Sequence, residues 1–466
     1  MRIATFEKLV ALFYQAFQNL HVQIAPLAVE NLAVTVYKAM AAQTRNFHTL
    51  DHVFSLADAT DPIQTLAALF HDIVYYQVDL GFAPGVQDII LPFIKQKNGE
   101  IFIGNKINPG DKLFALLLKI FGFSQGQKLS LSAGLNEFLS ALVMFKKLEG
   151  IVSEKNLLKL GFCLESTLPF RGPNAQGYGH FDLLELRLHA INREFHFGLV
   201  QTEIEQIVKT ALLFANKDVG NFAEVDVAKF LDHTWKLLPE TNVALRSPEL
   251  YSIREYRQAL QRMETFLSLL NPEHVFHQYR HLPTDQEFQL MTKRTRYNIG
   301  TAREYLHMKL LAAAVLEALA EVSGGDAPIS LFMGDRPQQG EKVRKLEDYL
   351  PPAKAEDFTD ESTVFVLLDK GLISEPSFDI KNSPLSVFLY TNLGPAKLKL
   401  LLGFAKNLFD GQLKAHEFLR KIDPAIIGVI ARASASMVAT RRDKLLEYSK
   451  PPKAPLFRKA QSQFPK

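Results

Sequence analysis

Apolar residues recur along most of this chain at intervals of three and four, the spacing of a helix that buries one face. Phe6, Val10, Phe13 and Phe17 form such a stripe near the start. It predicts an amphipathic helix and not a cleaved leader, because Glu7 and Lys8 interrupt the apolar run that a signal peptide needs. At Asp61-Pro62 a capping carboxylate precedes a proline at the first helical position, leading into IQTLAALFHD. The same device recurs at Asn271-Pro272 and Asp423-Pro424. Leu306, Leu310, Ala314 and Leu319 lie along one stripe of a long helix, about 287–322, that ends at Gly324-Gly325. No series of alternating strands, no βαβ unit and no glycine-rich phosphate loop after a strand can be read. TVFVLLDKGLI, residues 363–373, is the best strand candidate. The pattern predicts an all-α protein.

Polar and Gly/Pro-rich breaks fall at 98–111, 171–179 and 323–362. A domain boundary is placed in the last of these. Residues 1–324 then form a larger helical domain with an extension, 363–449 a smaller helical domain, and 450–466 a disordered tail.

Composition narrows the function classes. Among 466 residues, 47% are hydrophobic and 22% charged, as in ordinary globular proteins. A formal charge of +3 leaves neither sign dominant, so nothing points to nucleic acid or a membrane surface as partner. Thirty-five Phe against 13 Tyr and one Trp indicates dense core packing. The longest apolar stretches, such as LFALLLKIFGF at 113–123, are shorter than a bilayer span. The expectation is a soluble, cytoplasmic protein. Cys163 is the single cysteine, which excludes an internal disulfide and any CxxC metal clip. A bound metal must therefore be held by histidine and carboxylate.

Two segments supply those ligand types. In RNFHTLDHVFSLAD, residues 45–58, His48 and His52 are four apart, which on a helix puts them on one face, one turn from each other. In LAALFHDIVYY an apolar helix ends at His71-Asp72. A His-Asp dipeptide or a His pair alone carries little weight, but their ordered combination does. Imidazole nitrogens with carboxylate oxygens suit Zn, Mn, Fe or Ni, with Mg at a carboxylate-rich second position.

FHTLDHV followed by ALFHD resembles the HD superfamily of metal-dependent phosphohydrolases, in particular its cyclic-nucleotide phosphodiesterase-like branch. That branch has Tyr-His-Asn-x-x-His-Ala, then a helix ending in His-Asp, then a distant Asp. Phe47, Thr49 and Val53 stand where it has Tyr, Asn and Ala. The resemblance covers roughly residues 30–235 and implies an HD-type helical bundle with a further helical region beyond it. It implies that His52, His71 and Asp72 are metal ligands and that His48 is the general acid. The departures at 47, 49 and 53 leave that set intact. For the distant Asp the choice is Asp218 in LLFANKDVGNFA, since Asp-Val-Gly-Asn is similar to the branch's Asp-(Ile/Leu)-Ser-Asn. The long gap after Asp72 implies an insertion near 98–135. Thr167, in ESTLPFRG, aligns with the family's Ala-Thr helix behind the site, and Arg171 and Lys217 are candidates for phosphate contacts.

The function implied is hydrolysis of a phosphoester or nucleotide with one or two divalent ions (Mn, Fe, Zn, Ni or Mg), a second ion being bridged through Asp72. Two other readings stand beside it: an HD-fold di-iron oxygenase, which needs additional His ligands, and a non-enzymatic ligand-responsive scaffold. The remaining histidine groups read as structural. His180, His189 and His196 are irregularly spaced among polar residues, which places them on the surface. His274, His277 and His281 share one helical face, without a carboxylate pattern beside them. Substrate identity lies in pocket walls that motifs do not specify.

Overall fold

The computed structural model describes residues 4–105, 110–247, 250–335, 343–351 and 362–449. The expected disordered tail, 450–466, lies outside the described residues, as does part of the expected 323–362 boundary. Nearly all regular structure is α-helical, as the periodicity predicts. Among the described residues no helix is long and apolar enough to cross a membrane.

The chain divides into two compact units: Met1–Val243 with Phe266–Thr301, and Ala244–Thr265 with Ala302–Lys466. The first unit contains α1 (Thr5–Asn19), α2 (Pro26–Met40), α3 (Leu50–Leu56), α4 (Pro62–Phe70) and α5 (Lys112–Phe121). It continues with α6 (Leu135–Leu148), α7 (Glu154–Ser166), α8 (His180–Glu194), α9 (Gln201–Asp218) and α10 (Val227–Thr241). Every residue of α4 from Ile63 to Phe70 is buried. A helix buried all round belongs at the centre of a bundle, and α4 packs against α1, α3, α6 and α7. Its start is capped as the sequence predicts, with the Asp61 carboxylate accepting from the N–H groups of Ile63 and Gln64 ahead of Pro62. The stripe on α1 also holds: Phe13 and Phe17 are fully buried, with Phe13 edge-on to Phe70.

Residues 94–129, which overlap the expected insertion near 98–135, carry a small antiparallel sheet that the periodicity does not predict: β1 (Ile94–Lys97), β2 (Glu100–Ile103) and β3 (Lys128–Leu129), in that order. Lys97 pairs with Glu100 across Asn98-Gly99, both at positive φ (53° and 76°). This is the backbone that a two-residue hairpin turn needs, so the polar break read at 98 is the turn itself. Ile101 and Ile103 point inward to the core.

The second unit is helical too. It contains most of α11 (Ile253–Leu269), the later part of α12 (Asp285–Ser323), α13 (Thr363–Lys370), α14 (Pro384–Phe409) and α15 (Pro424–Met437). α12 ends at Gly324-Gly325 as expected, and Asp423 caps α15 before Pro424. The strand candidate 363–373 is instead α13. Ser362 Oγ accepts from the Phe365 N–H, Val364, Leu367 and Leu368 bury one helical face, and Gly371 at φ 83° ends the helix. Short apolar runs fit either period, and here the N-cap decides for the helix.

Candidate metal centre

His71 is the C-cap of α4, and its backbone N–H donates to Ala67 O at 2.8 Å. Its Nδ1 lies 2.9 Å from the Ala68 carbonyl oxygen. A carbonyl only accepts, so Nδ1 carries the hydrogen and Nε2 presents a lone pair. His52 sits in the first turn of α3. His48 does not share that helix, as the spacing suggested, but precedes it, because Thr49 is the extended N-cap (φ −104°, ψ 176°). The two rings still come to 5.8 Å between centroids, nearly perpendicular. Asp218 is the last residue of α9.

Three donor atoms converge, those of His52, His71 and Asp218, and an Asp72 oxygen borders the two imidazoles. His52 Nε2 and His71 Nε2 are 3.3 Å apart. Asp218 Oδ1 is 3.2 Å from the first and 3.7 Å from the second. Asp72 Oδ2 is 2.9 Å from His71 Nε2 and 3.7 Å from His52 Nε2. Ligands at about 2.1 Å from one ion stand roughly 3.0–3.4 Å apart at octahedral or tetrahedral angles, and the His52, His71 and Asp218 atoms, 3.2–3.7 Å apart, lie close to that range. The group His52, His71 and Asp218 could by itself hold a metal ion. Asp72 adds the most telling atom: Oδ2 is buried and without a hydrogen bond although His71 Nε2 is 2.9 Å away. With a hydrogen on Nδ1, the contact is favourable only with positive charge between the two atoms, which a bound metal ion or the Nε2 proton of a charged His71 can supply. Two neutral imidazoles and two carboxylates carry −2, the charge that a divalent ion balances. The donor set thus fits a borderline divalent metal.

Without an ion, a proton occupies the same place. Burial opposes charge on His71, but Asp72, Asp218 and the Ala68 carbonyl outweigh it and raise the ring pKa to about 9. Burial would push the Asp72 carboxyl up, yet His71, His48 and His52 hold it far below the usual range. A metal must displace the His71 proton, so apparent affinity should fall by about tenfold per pH unit as pH drops below about 9. Calorimetric titration in buffers of different ionisation enthalpy should show close to one proton released at neutral pH, and release of none would contradict this protonation state.

Beside the cluster, Glu240 at the end of α10 holds the His48 segment. Its Oε1 accepts the backbone N–H groups of Asn46, Phe47 and His48 at 2.6, 2.7 and 3.0 Å. Its Oε2 is 2.6 Å from His48 Nδ1. Burial would raise the Glu240 carboxyl, but these bonds and the His48 charge hold it below its ordinary range. As a carboxylate it makes Nδ1–H the donor and leaves Nε2 for chemistry. Burial disfavours the His48 cation, yet Asp72 and Glu240 together raise its pKa.

Three further groups escaped sequence reasoning. Tyr75 stacks tilted on His48 at 4.3 Å, its phenol kept neutral by burial and by Asp72 and Glu240. Glu137 on α6 has a buried Oε2 with no hydrogen bond, and burial, with Asp72 and Asp218 near, raises it to about 7. Arg45, fully buried, grips Asp79 through Nε (2.9 Å) and NH2 (2.6 Å) and donates from NH1 to the Asp72 carbonyl at 2.8 Å. That fork ties the His48 segment to the His71-Asp72 segment. Asp79→Ala should cost about 3–5 kcal/mol in urea unfolding, because it strands a buried guanidinium. A loss below about 1 kcal/mol would show that the pair is not buried as described.

The other residues singled out by sequence fall as follows. Thr167 caps α7 and donates to Leu164 O at 2.8 Å. Lys217 Nζ donates to Leu56 O at 2.8 Å, beside an open cleft of about 650 Å³ that also borders Asn46, Phe47, His52, Asp218 and Lys236. Arg171 is committed to buried Glu165 (3.0 Å) and to His180 Nε2 (2.7 Å). His180 is consequently buried, contrary to the surface reading, while His196 is exposed and His189 half-buried. His274, His277 and His281 share no helix, since Pro272–His274 is a single 3-10 turn and His281 has φ 59°. Asp182 and Asp226 serve as helix-capping acceptors, and Asp232 pairs with Lys236.

No protein-family model, curated protein or solved structure matches this chain.

Proposed function

We propose that the first unit is a divalent-metal-dependent phosphohydrolase of the HD type, acting on a phosphoester or nucleotide. The observation that carries the proposal is the convergence of His52, His71 and Asp218, drawn from three separate segments, with Asp72 against both imidazoles and a His48–Glu240 pair beside them. His52, His71 and Asp218, with Asp72 beside them, would hold a divalent ion, which would supply Lewis-acid activation of water and of a phosphoryl oxygen.

The chain's own residues do the rest. Glu240 fixes the tautomer and orientation of His48 and stabilises its imidazolium. His48 Nε2–H then donates its proton to the departing oxygen, the step that limits substrates with poor leaving groups. Tyr75, held neutral against the ring, packs one face of His48 and limits its movement. The Glu137 carboxyl, near neutrality in its pKa, can hold or release a proton in the same region. The cleft admits a polar ligand to His52 and Asp218 past Lys217 and Lys236.

The test is metal analysis of the purified full chain, followed by a screen of phosphomonoesters, phosphodiesters and nucleotides with Mn, Mg, Ni and Fe. Metal-dependent release of phosphate or of an alcohol is expected. Tight metal binding without turnover of any phosphoester would overturn the hydrolase reading, and iron-dependent oxygen consumption would replace it with the oxygenase.

A further inference from the structure

His233 lies on α10, two turns before Glu240, and its ring lines the open cleft beside the metal centre. Its Nδ1 is buried and has no hydrogen-bond partner among the described residues. Nε2 is neither buried nor hydrogen-bonded among them, so it is the nitrogen open to the cleft. An N–H on Nδ1 would be buried without an acceptor, so the ring hydrogen belongs on Nε2. Burial and the Lys236 ammonium lower the ring's pKa, which keeps the imidazole neutral at pH 7. Phe47 joins this donor to the metal ligands. Its half-buried ring is 5.1 Å from the His52 ring and 5.8 Å from the His233 ring.

We infer that His233 reads the substrate's organic part, its Nε2–H donating to an uncharged acceptor on a ring that lies across Phe47. The inference rests on the phosphohydrolase reading of the metal centre. A phosphoester with its phosphoryl group against His52 and Asp218 extends into a cleft of about 650 Å³, within the range of small-molecule sites. On its way to His233 it crosses Phe47, whose flat apolar face suits an aryl or heteroaryl body. Charge sets the class of acceptor. Glu224 and Asp232 both bear on His233, and Lys236 is already paired with Asp232 at 3.0 Å. An anionic group at Nε2 would face two carboxylates for one shared ammonium, whereas a carbonyl oxygen or ring nitrogen carries no charge to repel. A substrate lacking the acceptor would cover the N–H and leave it unpaired, which is how a single donor discriminates.

The test measures, by calorimetry on the metal-loaded full chain, the binding of phosphonates, whose C–P bond resists hydrolysis. Benzylphosphonate supplies the anchor and the ring. Its 4-acetyl derivative adds an uncharged acceptor, and its 4-isopropyl derivative adds the same bulk without one. The acetyl compound should bind about fivefold tighter than the isopropyl compound, and the 4-carboxy derivative should bind more weakly than the acetyl. His233→Phe should abolish the acetyl preference while retaining bound metal. His233→Gln, which returns an N–H near the Nε2 position, should restore the preference in part. Metal-dependent binding with no acetyl preference, a preference that survives His233→Phe, or tightest binding by the carboxylate would overturn this inference alone. Absence of metal-dependent binding by benzylphosphonate itself would overturn the metal-centre reading and the inference with it.

Discussion

Alanine at His71 or at Asp72 is expected to yield a folded protein without stoichiometric metal and without phosphoesterase activity. His71 belongs to the convergent group of His52, His71 and Asp218, and Asp72 lies 2.9 Å from its Nε2. His71 is presented by the end of a fully buried helix, with its ring locked by the Ala68 carbonyl. Asp72 contributes the buried oxygen that has no hydrogen bond of its own. Removing a group that merely supports a ligand typically weakens metal binding by about 10–100-fold, and losing a ligand outright should exceed that. Elemental analysis after metal loading and desalting is the readout. Full metal content in both variants would remove the proposed centre.

His48→Ala should behave differently, retaining metal and losing about 10²–10⁴ in turnover of substrates with poor leaving groups. Nitrophenyl esters, whose leaving groups need little protonation, should lose much less. The structural ground is that His48 is tied to Glu240, at 2.6 Å, and is absent from the donor cluster. Equal losses on both substrate types, or loss of the metal, would make His48 something other than a proton donor.

Much of this site was legible because its chemistry is written in short segments. His48 and His52 lie within one turn's length, and His71-Asp72 closes an apolar helix with its own cap signal. Asp218 came from the resemblance of Asp-Val-Gly-Asn to the family's distant-Asp stretch, and it is the last residue of α9. Glu240 was not legible. It reaches the His48 segment from far along the chain, and a glutamate near the end of a helix has no local mark that separates it from a solvated one. Glu137 is silent for the same reason, since its environment comes from burial beside Asp72 and Asp218. Arg171 shows the opposite failure. As an isolated arginine it suited phosphate, but a buried glutamate six residues earlier holds its guanidinium. In the fold, the helical class followed from periodicity. The three short strands were missed because two to four residues give too little alternation to read, and the hairpin turn at Asn98-Gly99 was the one signal present.

The most direct measurement is a crystal structure of metal-loaded protein with anomalous data collected at the absorption edge of the bound metal. The account predicts one strong peak within about 2.0–2.2 Å of His52 Nε2, His71 Nε2, Asp72 Oδ2 and Asp218 Oδ1, with His48 and Glu240 outside the coordination sphere. A peak elsewhere, a peak coordinated by His48, or no peak in protein loaded with Zn, Mn, Fe or Ni would contradict it.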